Sequence, residues 1–145
     1  MLRLPESVRS VLAAWAHEGY PHETCGLLVG RSLEHAPEHV HAEHVEVVRA
    51  VRARNLNQSR ARDRYELDPA DFVAADAAAR NDDLEVVGIW HSHPDHPAQP
   101  SETDRAAAWP GWSYVIVQVD SSGIGDLRSW RLTNAHFEEE TVERS

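Results

Sequence analysis

Apolar residues recur at helical spacing near the start of the chain, at Val8, Val11, Leu12 and Trp15. That pattern predicts an amphipathic helix over residues 4–17, stopped by Gly19 and Pro21. A short apolar run, Cys25 to Val29, suits a buried strand, and a polar, histidine-rich stretch over 31–43 reads as a loop. Val45 to Val51 predicts a further strand and Arg64 to Leu67 another. Asp68-Pro69-Ala70-Asp71 has the chemistry of a helix start, with Asp at the N-cap, Pro at the first helical position and an acid in the first turn. The helix runs to about Arg80. Glu85 to Trp90 predicts a central strand, followed by a proline-rich loop and a short helix from Ser101 to about Trp109. Trp112 to Val119 is the strongest strand pattern, and turn residues 120–123 join it to a hairpin partner at 127–132. An edge strand over 135–142 precedes a charged tail. Neither repeats nor a linker divide these elements. The expected class is α+β, one domain over 1–145 with 1–4 and 134–145 as peripheral ends, and a sheet flanked by helices.

Length and charge narrow the function. A chain of 145 residues can bury a core without disulfides. A single cysteine, no secretory signal pattern and no long apolar span point to a cytoplasmic protein without a membrane partner. The net charge of −10 disfavours nucleic acid as a partner. Every cation is arginine, and six of them fall between Arg49 and Arg64. That run reads either as a solvated strand and loop or as a docking surface for an acidic protein.

The chemistry concentrates in Gly88-Ile89-Trp90-His91-Ser92-His93-Pro94 and Ser101-Glu102-Thr103-Asp104. Residues two apart in extended chain share a face, so His91 and His93 are placed to grip one metal ion at a strand end. Asp104, in the first turn of the next helix, supplies a third ligand. Two histidines and a carboxylate leave the fourth position of tetrahedral zinc open, as catalytic sites do. Read locally, Ser101-x-x-Asp104 is also an ordinary capping box, and an isolated His-x-His among ten histidines is often surface decoration. Residues and spacing alone leave both readings open.

His91-x-His93, seven residues, Ser101, two residues, Asp104 resembles the motif of the JAMM (MPN-plus, Mov34/MPN/PAD-1) zinc metallopeptidases. His22-Glu23-Thr24-Cys25-Gly26-Leu27-Leu28 is similar to the family's upstream glutamate segment, and Arg64 to Pro69 to the segment before the second helix in small bacterial members. The resemblance covers residues 5–133. It implies a single MPN domain, cytidine-deaminase-like, with a mixed, mostly antiparallel sheet. It also implies one Zn2+ per chain held by His91, His93 and Asp104, with Glu23 as general acid/base and Ser101 as hydrogen-bond donor to the oxyanion. The implied partner is a ubiquitin-like or β-grasp sulfur-carrier protein with a Gly-Gly tail, cut after that tail; a non-catalytic MPN scaffold is the alternative. A nucleobase deaminase needs a Cys-x-x-Cys pair that this chain lacks. A DNA-processing relative of the RadC type sits poorly with the charge.

Four features keep two readings each. Cys25 is a core residue or a nucleophile served by a histidine. His96 is a loop residue or an extra ligand. His35, His39, His41 and His44 lie in a loop over the substrate groove or form a second metal site. Ser92, between the two histidines, is expected to support the site through its backbone or hydroxyl.

Overall fold

A computed structural model describes residues 1–33 and 44–144. The elements run β1 (Leu2–Leu4), α1 (Glu6–Gly19), β2 (Cys25–Ser32), β3 (Val45–Ala53), α2 (Pro69–Asn81), β4 (Glu85–Pro94), α3 (Glu102–Ala107), β5 (Ser113–Asp120), β6 (Gly123–Thr133), β7 (His136–Glu140) and β8 (Val142–Arg144). The strands form one sheet in the order β7-β6-β5-β4-β2-β3-β1-β8. Four neighbouring pairs are antiparallel; β4–β5, β1–β3 and β1–β8 are parallel. This is the mixed, mostly antiparallel α+β architecture expected. Among the described residues no helix is long and apolar enough to cross a membrane.

Each face of the sheet has its own core. Val8, Leu12 and Ala16 of α1 pack with Leu28, Val47, Val87, Trp90 and Val115. On the other face Ala75 of α2 packs with Leu27 and Val86, joined by Phe72, Ile89 and Trp112. Strict alternation would put Val87 and Ile89 on one face. The pairing shifts between Leu28↔Gly88 and Val29↔Val86, so β4 carries one extra residue there. Beyond that bulge the alternation is out of phase. Trp90 turns to α1 and Ile89 to α2, and the parity then carries His91 and His93 to the α2 face.

Gly26 makes room for this arrangement. It lies opposite Trp90, and a Cβ there would sit 1.9 Å from the Val51 carbonyl oxygen and 2.5 Å from Trp90 Nε1. The indole instead crosses that space, donating from Nε1 to Val51 O at 3.1 Å and stacking on Trp15 at 5.5 Å.

Two expectations are corrected. Residues 1–4 are not peripheral: β1 pairs with both β3 and β8, and Leu2 and Leu4 are fully buried in the α1-side core. A three-residue apolar-polar-apolar segment is too short to signal a strand by itself, and burial against α1 decides its fate. Residues 64–67 form no strand; only an isolated bridge links Asn55 to Leu67. Their backbone is drawn elsewhere, since the Asn55 side chain donates to Arg64 O at 3.1 Å and accepts from Glu66 N at 2.9 Å. The edge strand expected at 135–142 is β7 at one sheet edge, and the tail beyond it continues as β8 at the other. His35, His39 and His41 lie outside the described residues.

Candidate active site

His91 and His93 end β4 on the α2 face, both buried. Their Nε2 atoms are 3.1 Å apart. Asp104 Oδ2 lies 3.3 Å from His91 Nε2 and 3.1 Å from His93 Nε2. Zn–N bonds of about 2.0–2.1 Å put neighbouring ligands of a tetrahedron roughly 3.3 Å apart, so this triangle of donors fits zinc. The His93 ring is oriented by Nδ1–H donating to Pro97 O at 2.8 Å, which leaves the Nε2 lone pair facing Asp104. The His91 ring stacks on Tyr65 with centroids 4.4 Å apart.

Asp104 is delivered by the capping box of α3. Ser101 Oγ accepts from Asp104 N at 3.0 Å, and Asp104 Oδ2 accepts from Ser101 N at 2.9 Å. The capping geometry therefore holds the carboxylate toward the histidines. Since Ser101 Oγ accepts in that bond, its own proton is left to donate. Burial alone would raise the Asp104 pKa, but the contacts with His91 and His93 outweigh it and hold the carboxyl well below its usual range. Burial lowers the His91 pKa. For His93 burial also pulls downward, yet the bonds to Asp104 and Pro97 O prevail and the net direction is up.

Glu23 precedes β2 and is 5% exposed. One of its carboxylate oxygens lies with a His91 and a His93 nitrogen in a group whose atoms are all within 4.8 Å of one another. Its Oε1 has no hydrogen-bond partner among the described residues. Burial pushes its pKa up to about 8, opposed by the charge of His93. The backbone around it is pinned. Glu23 N donates to Ala61 O at 2.5 Å, and Glu23 O accepts from Asn55 Nδ2 at 3.2 Å. Ser92 ties this segment to the histidine strand, accepting at Oγ from Thr24 N at 2.8 Å while its own N donates to Thr24 O at 2.9 Å.

All five residues singled out in the sequence thus meet at one place, and Ser92 has the supporting position expected. Cys25 is fully buried, and burial raises its thiol to about 12, which keeps it a protonated core residue. The His96 ring stands edge-on to His93 at 6.2 Å, exposed, outside the donor group. Sequence reasoning missed Asn55, whose side chain ties Glu23 to the 64–66 backbone, and Tyr65, which covers His91. It also missed Trp130, whose Nε1 donates to Ala98 O at 3.1 Å and steadies the proline loop beside Pro97. A cleft of about 330 Å³ opens over the site, lined by Glu23, His93 and Ser101 with Arg64, Pro97 and Gln99.

A family model described as prokaryotic homologs of the JAB domain matches residues 5–133. The chain belongs to this family. Among curated relatives of this JAB chain, the desampylase of Haloferax volcanii is 32% identical over 146 residues, covering 97% of this chain and 94% of that one. The CysO-cysteine peptidase of Mycobacterium tuberculosis is 30% identical over 134 residues, covering 92% and 84%. A crystal structure of a JAB1/MPN domain protein from Archaeoglobus fulgidus superposes with a TM-score of 0.59 at 15% identity, over 99% of this chain and 98% of that one, which shows the shared fold. The chain is a JAB/MPN-fold hydrolase of the JAMM type.

Proposed function

We propose that this chain is a zinc peptidase that hydrolyses the bond after the C-terminal Gly-Gly of a ubiquitin-like or sulfur-carrier protein. The observation that carries the reading is the convergence of His91 Nε2, His93 Nε2 and Asp104 Oδ2, 3.1–3.3 Å apart, beside the buried Glu23. His91, His93 and Asp104 would hold one Zn2+. Bound there, zinc supplies Lewis acidity, polarising the scissile carbonyl and lowering the pKa of a coordinated water to about 7.

The chain's own residues do the rest. Asp104 rather than Glu23 is assigned as the third ligand, because its Oδ2 touches both histidine nitrogens and its carboxyl stays ionised. Glu23, with one oxygen unpartnered, acts as a carboxylate, a form that the charge of a bound metal would favour against the burial that disfavours it; it takes a proton from the attacking water and passes it to the leaving nitrogen. Ser101 donates its hydroxyl proton to the oxygen that gains charge as the carbonyl is attacked. Pro97 O and Trp130 hold the loop that orients His93. Glycine at both positions before the cut lets a substrate backbone lie close to the walls of a narrow cleft.

The desampylase and CysO-cysteine peptidase relatives support a ubiquitin-like or sulfur-carrier substrate. A non-catalytic scaffold would have no need of the complete donor set with a buried, unpartnered glutamate beside it. The test is metal analysis paired with cleavage. The purified protein binds one zinc, and Asp104→Ala lowers zinc affinity at least about 100-fold and abolishes cleavage. Undiminished zinc binding in Asp104→Ala would assign the third ligand elsewhere.

A further inference from the structure

Four of the six arginines between 49 and 64 are neutralised within the fold. Arg49 pairs with Asp82 at 2.7 Å, Arg52 with Glu18 at 3.0 Å, Arg54 with Asp68 at 3.5 Å, and Arg60 with Asp63. Arg62 and Arg64 have no carboxylate within ion-pair distance among the described residues. Arg62 is exposed to solvent. Arg64 is half-buried and lines the same cleft as Glu23, His93 and Ser101. The one hydrogen bond its guanidinium makes among the described residues goes to its neighbour's backbone, from Nη1 to Asp63 O at 3.2 Å. Asp63, the other charged group on that wall, is already engaged with Arg60. The charge of Arg64 is felt by the carboxylates of Asp63 and Glu23, but neither forms an ion pair with it. A half-buried guanidinium facing a cleft, with most of its donors unused, is built to receive a planar anion.

The reaction says which anion reaches it. Water oxygen bonds to the glycine carbonyl carbon, the C–N bond breaks with its electron pair going to nitrogen, and Glu23 delivers the proton to that nitrogen. The leaving nitrogen is therefore beside Glu23, and Arg64 is close enough for its charge to act on the Glu23 carboxyl. In a leaving α-amino acid, a carboxylate stands only two bonds from the nitrogen. In a leaving lysine side chain, that space holds methylenes, which an unpaired guanidinium does not favour.

We propose that Arg64 is a specificity residue that binds the free α-carboxylate of the residue leaving after Gly-Gly, which makes the preferred substrate a carrier ending in one extra amino acid rather than one joined to a lysine side chain. The assignment rests on the Gly-Gly reading above for its chemistry. Its test does not depend on cleavage. Zinc-loaded Glu23→Gln protein is titrated with the tripeptide Gly-Gly-Ala and with its C-terminal carboxamide, following the Arg64 Nε–H resonance and the dissociation constants. The acid binds about ten-fold or more tighter than the amide and moves that resonance. In the same background Arg64→Met brings the two ligands within about two-fold, and Arg64→Lys keeps part of the preference. Equal binding of acid and amide to the Arg64 protein overturns the assignment, as does a preference that survives Arg64→Met. A preference that holds in this background while the wild-type protein cuts no Gly-Gly carrier leaves Arg64 assigned and sinks the proposed function instead.

Discussion

At Glu23 and Asp104 the same burial produces opposite outcomes. Glu23 has a carboxylate oxygen with no donor and is pushed up to about 8, while Asp104 meets two imidazoles and a backbone N–H and stays ionised. In metal-free protein the Glu23 carboxyl is neutral in the fold up to about 8, yet ionises near 4.5 once unfolded. Its contribution is therefore fully present below pH 4.5 and is lost as pH rises through 8. Glu23→Gln, which cannot ionise, should stabilise the metal-free protein at pH 9 by roughly 2–4 kcal/mol relative to wild type, with little difference at pH 4. Denaturant melts at the two pH values check this; equal stability at pH 9 would show that Glu23 is solvated. His91, His93 and Asp104 stand in local patterns, a strand-end pair and a capping box, that leave two readings open; the family resemblance chose between them and alone pointed to Glu23 and to the oxyanion role of Ser101. Asn55, Tyr65 and Trp130 were not legible, because what they do depends on which distant backbone they meet.

The elements around the site act through their junctions. The loop between β4 and α3 is fixed at Asp95, whose carboxylate accepts from Tyr20 Oη at 2.9 Å, at Pro97 by His93, and at Ala98 by Trp130. Trp130→Phe keeps an aromatic side chain, though a smaller one, and removes the N–H that bonds to Ala98 O. It should lower zinc affinity several-fold and leave the melting temperature within a few degrees, read by competition with a chromogenic chelator. Unchanged affinity would mean that the prolines alone hold the loop. The bulge on β4 is the element-scale feature the sequence hides. Alternation predicts a strand through Glu85 to Trp90, but the phase change that sends His91 and His93 to the α2 face comes from pairing with β2. Gly26 on β2 leaves the space that the Trp90 indole crosses. Gly26→Ala should destabilise the fold by about 3 kcal/mol or more, because backbone oxygen and a locked indole leave no room for the methyl. A soluble, equally stable alanine variant would contradict the close approach described.

On the scale of the whole molecule the two edges of the sheet are covalently joined. β7 and β8 lie at opposite ends of the strand order, yet only Thr141 separates them, and Thr141 O accepts from Leu2 N at 2.8 Å. The sheet therefore curls until its edges meet at that corner, which shelters strands that would otherwise be open to pairing. Apolar patterning revealed most strands and α1, and helix-start residues marked α2 and α3, but neither revealed this closure, nor the place of β1 within it, since both depend on pairings between the chain's extremes. Leu4→Ala should cost about 2–5 kcal/mol, the signature of a core position rather than a peripheral end.

Site and substrate are tested together in one cleavage experiment. A β-grasp carrier from the same genome, extended by one alanine beyond its Gly-Gly, is incubated with wild-type protein, with protein stripped by a chelator and restored with zinc, and with Glu23→Gln. Mass spectrometry reads the cut. The expected result is release of alanine alone by the wild type, loss of release on chelation, recovery with zinc, and turnover at least about 1,000-fold slower in Glu23→Gln despite bound zinc. Release that persists undiminished after complete metal removal, or in Glu23→Gln, would contradict it.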